Sequence, residues 1–153
     1  MRIGLFFLLS LVLFISNCAQ DAIDQEMVDK EIIEQYLADN SLTATLHEDG
    51  IYYNITQEGT GTEMPTSDSN VEVKYRGYLV DGTTFDQTTG DETRTFALSG
   101  VIPGWQTAIK LLKKGGKGTF YIPSALGYGA NPPSFAIPRN AVLIFDVELI
   151  DFN

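Results

Sequence analysis

The sequence predicts an α+β fold, a curved antiparallel sheet closed over one short helix. Segments in which apolar and polar residues alternate recur between Gly50 and Ile150, separated by turn-forming residues. One stretch among them has helical spacing instead. Trp105, Ala108, Ile109 and Leu112 share a face, entered through the rigid turn Val101-Ile102-Pro103-Gly104 and stopped by Lys113-Lys114-Gly115-Gly116. A helix of about two turns is too short to persist alone, so it must rest against the sheet. Extended segments flank it on both sides, which puts Trp105, the only tryptophan, at the junction of helix and sheet.

Composition narrows the function. With 153 residues, 44% hydrophobic and 20% charged, the chain suffices for one ordinary domain and a short appendage. Twenty acidic residues against ten basic ones argue against nucleic acid as a partner, because phosphate contacts need a clustered Lys/Arg face. A single cysteine allows no intrachain disulfide, and a single histidine, His47, removes the usual His/Cys sets for metal. No metal and no cofactor is expected.

At the N-terminus, Arg2 and the apolar run Ile3 to Ile15 read as a signal peptide over residues 1–17, because crossing a bilayer takes about twenty apolar residues. Ile15-Ser16-Asn17-Cys18 resembles the lipobox of bacterial lipoproteins, although Asn17 stands where a small residue is usual. The resemblance implies lipidation of Cys18, attachment to a membrane of the bacterial cell envelope and, from Ala19, sorting to the outer membrane, on its periplasmic face or the cell surface. Residues 18–44 are an acidic linker or helix. Asp21, Asp24, Glu26, Asp29, Glu31, Glu34 and Asp39 outnumber the lone Lys30, yet Val28, Ile32, Ile33, Tyr36 and Leu37 recur at helical spacing. A spacer holding the domain off the membrane is favoured over docking or self-association through that stripe.

The folded domain is assigned to residues 45–153. Gly50 to Gln57 and Val71 to Val80 read as strands, and in the second Val71, Val73, Tyr75, Gly77 and Leu79 alternate with Glu72, Lys74, Arg76 and Tyr78. Asp81-Gly82 makes a turn. Thr84-Phe85-Asp86 and Arg94 to Leu98 supply shorter extended pieces, Lys117 to Ile122 another. In the last strand, Ala141 to Ile150, Leu143, Phe145, Val147 and Leu149 face one way, Asp146 and Glu148 the other.

Aromatic residues alternate with glycine turns throughout this domain: Tyr75, Phe85, Trp105, Tyr128, Phe145. No Ser/His/Asp set, catalytic cysteine, phosphate loop or carboxylate pair at recognisable spacing accompanies them. On composition alone such rings read as core. Four motifs change that reading. Val73 to Asp86 (VKYRGYLVDGTTFD), Val101 to Ile109 (VIPGWQTAI), Ile122 to Ala130 (IPSALGYGA) and Ile137 to Leu149 (IPRNAVLIFDVEL) resemble the FKBP-type peptidyl-prolyl cis-trans isomerases, over residues 50 to 152.

The resemblance implies a five- to six-stranded antiparallel half-barrel wrapped around one short helix. It also implies a pocket. Tyr75 and Phe85 would be walls, Asp86 a polar contact, Val101 a side and Ile102 a backbone N–H donor. Trp105 would be the floor, Tyr128 a hydroxyl, and Ile137 and Phe145 the remaining apolar wall. Proline-containing polypeptides are the implied substrates, and rapamycin-like macrolides a further ligand class. Arg94 stands where many relatives carry a rim phenylalanine, and Ala136 where they carry a larger aliphatic residue. The implied activity is acceleration of X–Pro rotation in exported proteins, without a covalent intermediate. The alternative is a non-catalytic proline-peptide binding or chaperone module tethered to a membrane. The presence of Phe85, Asp86, Trp105 and Tyr128 together favours the enzyme.

Overall fold

A computed structural model of the chain describes residues 24–153. The expected signal peptide and Cys18 lie outside the described residues. Helix α1 covers 24–39. It is followed by β1 (Thr45–Leu46), β2 (Tyr52–Gln57), β3 (Asn70–Tyr78), β4 (Thr84–Gln87) and β5 (Arg94–Ala97). Helix α2 (Pro103–Ile109), β6 (Lys117–Ile122) and β7 (Leu143–Phe152) complete the order, with 3-10 turns at Leu98–Gly100 and Ser124–Leu126.

All strands belong to one antiparallel sheet in the order β1-β2-β6-β7-β3-β4. β5 also pairs with β3, along Asn70 to Val73, while β4 takes Arg76 to Tyr78. The two short strands thus share one edge, and the seven strands occupy six places. The alternation seen in the sequence is what bends this sheet round a core. Val71, Val73, Tyr75 and Leu79 of the β3 segment and Leu143, Phe145, Val147 and Leu149 of β7 are buried, and α2 packs among them through Trp105, Ala108 and Ile109.

Helix α2 begins with Pro103 at its first turn, where a missing N–H costs nothing. Gly104 is needed for contact: a Cβ there would lie 2.4 Å from the Ile122 side chain on β6. The helix ends at Ile109, earlier than the apolar spacing suggests. Leu111 and Leu112 continue with N–H bonds three residues back, to Ala108 and Ile109, so Leu112 stays buried in a tightened turn.

The spacer reading of the acidic segment is corrected by α1. Ile33 and Leu37 are buried against the outer face of the sheet with Tyr52, Tyr121, Val142 and Ile144, and Ile32 and Tyr36 pack beside them. An outer face carrying Ile144 and two tyrosines needs a cover, and the stripe provides it. Val28, counted in that stripe, is exposed, and Asp29 is buried in its place. No described helix is long and apolar enough to cross a membrane.

Candidate active site

The site sits on the concave side, where β3, β4, β5, β7 and α2 converge. Tyr75 is on the inward face of β3, and two residues on is Gly77, paired with Phe145 on one side and Asp86 on the other. A Cβ at Gly77 would come within 2.7 Å of the rings of both Phe85 and Phe145. Glycine here is the condition for those rings to meet, and they do so edge to face with centroids 5.5 Å apart.

Trp105, 4% exposed, enters from the first turn of α2. Three rings stand nearly perpendicular to its indole, Tyr75 at 5.2 Å, Phe145 at 5.4 Å and Phe96 at 5.6 Å between centroids. Trp105 Nε1 is the one buried side-chain N or O atom without a hydrogen-bond partner among the described residues, the kind of orphan found at functional sites. The turn leading to the indole is held by Gln106, whose Nε2 donates to the Val101 carbonyl at 2.9 Å. The Ile102 carbonyl accepts from the N–H groups of Trp105 and Gln106.

These side chains enclose a concavity of ≈ 440 Å³. Tyr75, Phe85, Asp86, Val101, Ile102, Trp105, Tyr128, Ile137 and Phe145, the nine residues singled out in the sequence, all line it. The fold adds Arg94, Phe96, Gly100, Pro133 and Ser134. Ala136 does not line it and is exposed. His47 is elsewhere, its Nδ1 accepting from the Asp49 N–H at 3.1 Å. No group of three or more His, Cys, Asp or Glu that could hold a metal ion occurs among the described residues.

One rim of the concavity is polar and closely bonded. The Tyr75 hydroxyl donates to Asp86 Oδ2 at 2.5 Å and accepts from Arg94 Nη1 at 2.8 Å, and the same Nη1 lies 3.0 Å from Asp86 Oδ1. The guanidinium carbon is also 5.6 Å from the Tyr75 ring centroid. Burial first, then the bond to Asp86, pushes the Tyr75 phenol well above its ordinary value, against a smaller opposing effect of Arg94. Burial, then the charge of Asp86, raises the Tyr128 phenol as well. Both hydroxyls therefore remain protonated donors at neutral pH. The sequence showed Arg94 only as a substitution at the rim. Its partnership with Asp86, eight residues away through a loop, follows no spacing rule; Phe96, two residues on in β5, follows the strand period from Arg94.

Residues 61–150 match the family model described as FKBP-type peptidyl-prolyl cis-trans isomerase. The chain belongs to this family. It is 48% identical over 102 residues to a probable FKBP-type peptidyl-prolyl cis-trans isomerase FkpA of Neisseria meningitidis, covering 66% of this chain and 37% of that protein. To FkpA of Escherichia coli it is 41% identical over 134 residues, 86% of this chain and 48% of that one. The FKBP-type chain thus spans about half, or less, of the length of these curated relatives. Among solved structures, FkpA from Escherichia coli superposes with a TM-score of 0.73 at 38% identity, over 90% of this chain and 63% of the other. A peptidyl-prolyl cis-trans isomerase from Pseudomonas syringae gives 0.74 at 32% identity, over 85% of this chain and 94% of the other. The half-barrel expected from the four motifs is the fold observed, with β1 as an additional short arm.

Proposed function

We propose that this chain is a peptidyl-prolyl cis-trans isomerase that accelerates rotation about X–Pro bonds in exported polypeptides and so assists their folding. The observation that supports this reading most is the single concavity in which a tryptophan floor, ringed by aromatic edges, lies beside a bonded Tyr75–Asp86–Arg94 rim. Rotation about X–Pro faces a barrier of about 20 kcal/mol because the planar amide is resonance-stabilised. The twisted transition state loses that resonance, and its carbonyl becomes less polar. An apolar aromatic pocket disfavours the planar, more polar amide relative to the twisted one. No nucleophile is needed. A thousandfold acceleration asks for only about 4 kcal/mol of preferential stabilisation.

The roles follow from position. The proline ring rests on Trp105 with Phe85 and Phe145 as walls, and Asp86, the Tyr128 hydroxyl and the Ile102 N–H orient the neighbouring carbonyls and amides. Rapamycin-like macrolides, which present a proline-like ring, are ligands of the same concavity. Attachment to an envelope membrane through a lipidated Cys18 completes the reading; Cys18→Ala is expected to abolish fatty-acid labelling, and equal labelling of mutant and wild type would contradict it.

The test is a proline-isomerisation assay on the chain with and without rapamycin. Acceleration that rapamycin suppresses is the expected result. Binding of Leu-Pro peptides without any acceleration would replace the enzyme by a proline-peptide binding module.

A further inference from the structure

Asp29 is the only fully buried carboxylate among the described residues, with 0% exposure. It lies one helical turn before Ile33 and two before Leu37, on the stripe by which α1 covers the sheet. An apolar side chain would serve that docking better, since a buried charge is costly unless it is hydrogen-bonded. Asp29 is bonded on both oxygens. Oδ2 accepts from the Ser124 N–H at 2.7 Å and from the Ser124 hydroxyl at 2.6 Å, and Oδ1 accepts from Gln25 Nε2 at 2.7 Å.

Ser124 opens the 3-10 turn Ser124–Leu126, and Pro123 before it provides no side-chain cap. Asp29 supplies that cap from another element. The Ser124 carbonyl in turn accepts the N–H groups of Gly127 at 3.0 Å and Gly129 at 2.9 Å, the two residues on either side of Tyr128. A second tie runs to the far end of the same segment. Gln25 Oε1 accepts from Asn140 Nδ2 at 3.2 Å, and the Asn140 N–H donates to the Gly129 carbonyl at 2.8 Å. The segment between these fastenings brings Tyr128, Pro133, Ser134 and Ile137 to the concavity.

We infer that Asp29 is a positioning residue for Tyr128: through Ser124 it fixes the backbone on both sides of that side chain, so helix α1 is part of the scaffold of the pocket. The catalytic consequence rests on the isomerase reading; the mechanical coupling does not.

The experiment compares the full chain with Asp29→Ala, Asp29→Asn, Tyr128→Ala and the Asp29→Ala/Tyr128→Ala double variant, measuring amide hydrogen exchange and isomerase kcat/KM. In Asp29→Ala, exchange is expected to rise selectively at Gly127 and Gly129 while β6 and β7 keep their protection. The value of kcat/KM is expected to fall about fivefold. Asp29→Asn keeps an oxygen acceptor for Ser124 and should recover most of that loss. With Tyr128 already replaced, Asp29→Ala should have little further effect. Should Asp29→Ala fail to fold, Ser124→Ala carries the same test through loss of the hydroxyl donor alone. Uniform loosening with no selective change at Gly127 and Gly129 overturns the inference, as does an activity loss of equal size with and without Tyr128. A selective rise in Asp29→Ala, together with a wild type that shows no isomerase activity, would refute the isomerase reading and leave the coupling standing.

Discussion

Arg94 and Asp86 meet at the rim of the pocket with Nη1 3.0 Å from Oδ1, and the Tyr75 hydroxyl is bonded to both. The arginine thus sets the direction of the carboxylate and of the phenol on the inward face of β3. Both charged side chains are well exposed, 39% and 47%, so the pair itself contributes little to stability, about 0–1 kcal/mol. Its effect is on orientation.

Arg94→Leu is therefore expected to leave the thermal midpoint within a few degrees of wild type and to lower isomerase kcat/KM several-fold. Tyr75→Phe should lower it too, and the double variant should cost less than the sum, because the two residues act on one carboxylate. Additive losses in the cycle would show that Arg94 acts on its own.

Gly77→Ala tests the aromatic packing. The added Cβ would lie 2.7 Å from both Phe85 and Phe145 rings, so one ring must move out of the wall. Overpacking of this kind costs about 1–3 kcal/mol, seen as a lower midpoint in chemical denaturation. A variant of unchanged stability and activity would mean that the two rings are not held where the pocket places them.

Much of this architecture was legible in the sequence because period-2 alternation is a direct image of a half-buried strand. Lys117–Ile122 was read to the residue, and β3 and β7 within two residues, since Val71 to Leu79 and Leu143 to Leu149 each keep one face apolar. The nine pocket residues were legible through four motifs in order, not through spacing, because they come from β3, β4, β7, α2 and the loops between them. Docking of α1 was legible only as the less favoured alternative to a spacer. Its stripe contains Asp29, and a carboxylate reads as solvent-facing until its partner Ser124, 95 residues later, is brought beside it. Arg94 was hidden for the same reason: a loop, which has no period, delivers it to Asp86.

Stability should fall in alkali. Burial, the first cause in each case, raises the phenols of Tyr75, Tyr78, Tyr121 and Tyr128 above their ordinary value of 10.0, and Tyr121 is pushed up to about 12. The folded state thus favours the neutral phenol. This contribution is fully present below the unfolded value and is lost as pH rises through the folded one. The thermal midpoint should show no loss from tyrosine up to about pH 9 and then drop between about pH 10 and pH 12, with Tyr121→Phe showing a shallower drop. A midpoint independent of pH across that interval would contradict the assignment of these phenols as buried and neutral.

The central claim is that the concavity around Trp105 isomerises X–Pro bonds, and Phe85 and Asp86 probe it better than Trp105 does. Trp105 belongs to the core, so its removal mixes stability with function. Phe85 is half-buried and Asp86 exposed, both on the short edge strand β4. The decisive measurement is kcat/KM for a Leu-Pro peptide on wild type, Phe85→Ala and Asp86→Ala, each with its unfolding transition. The account predicts acceleration by wild type and a loss of at least about tenfold in each variant, equivalent to ~1.4 kcal/mol of transition-state stabilisation, with cooperative unfolding retained. Variants that isomerise the peptide as fast as wild type would contradict it.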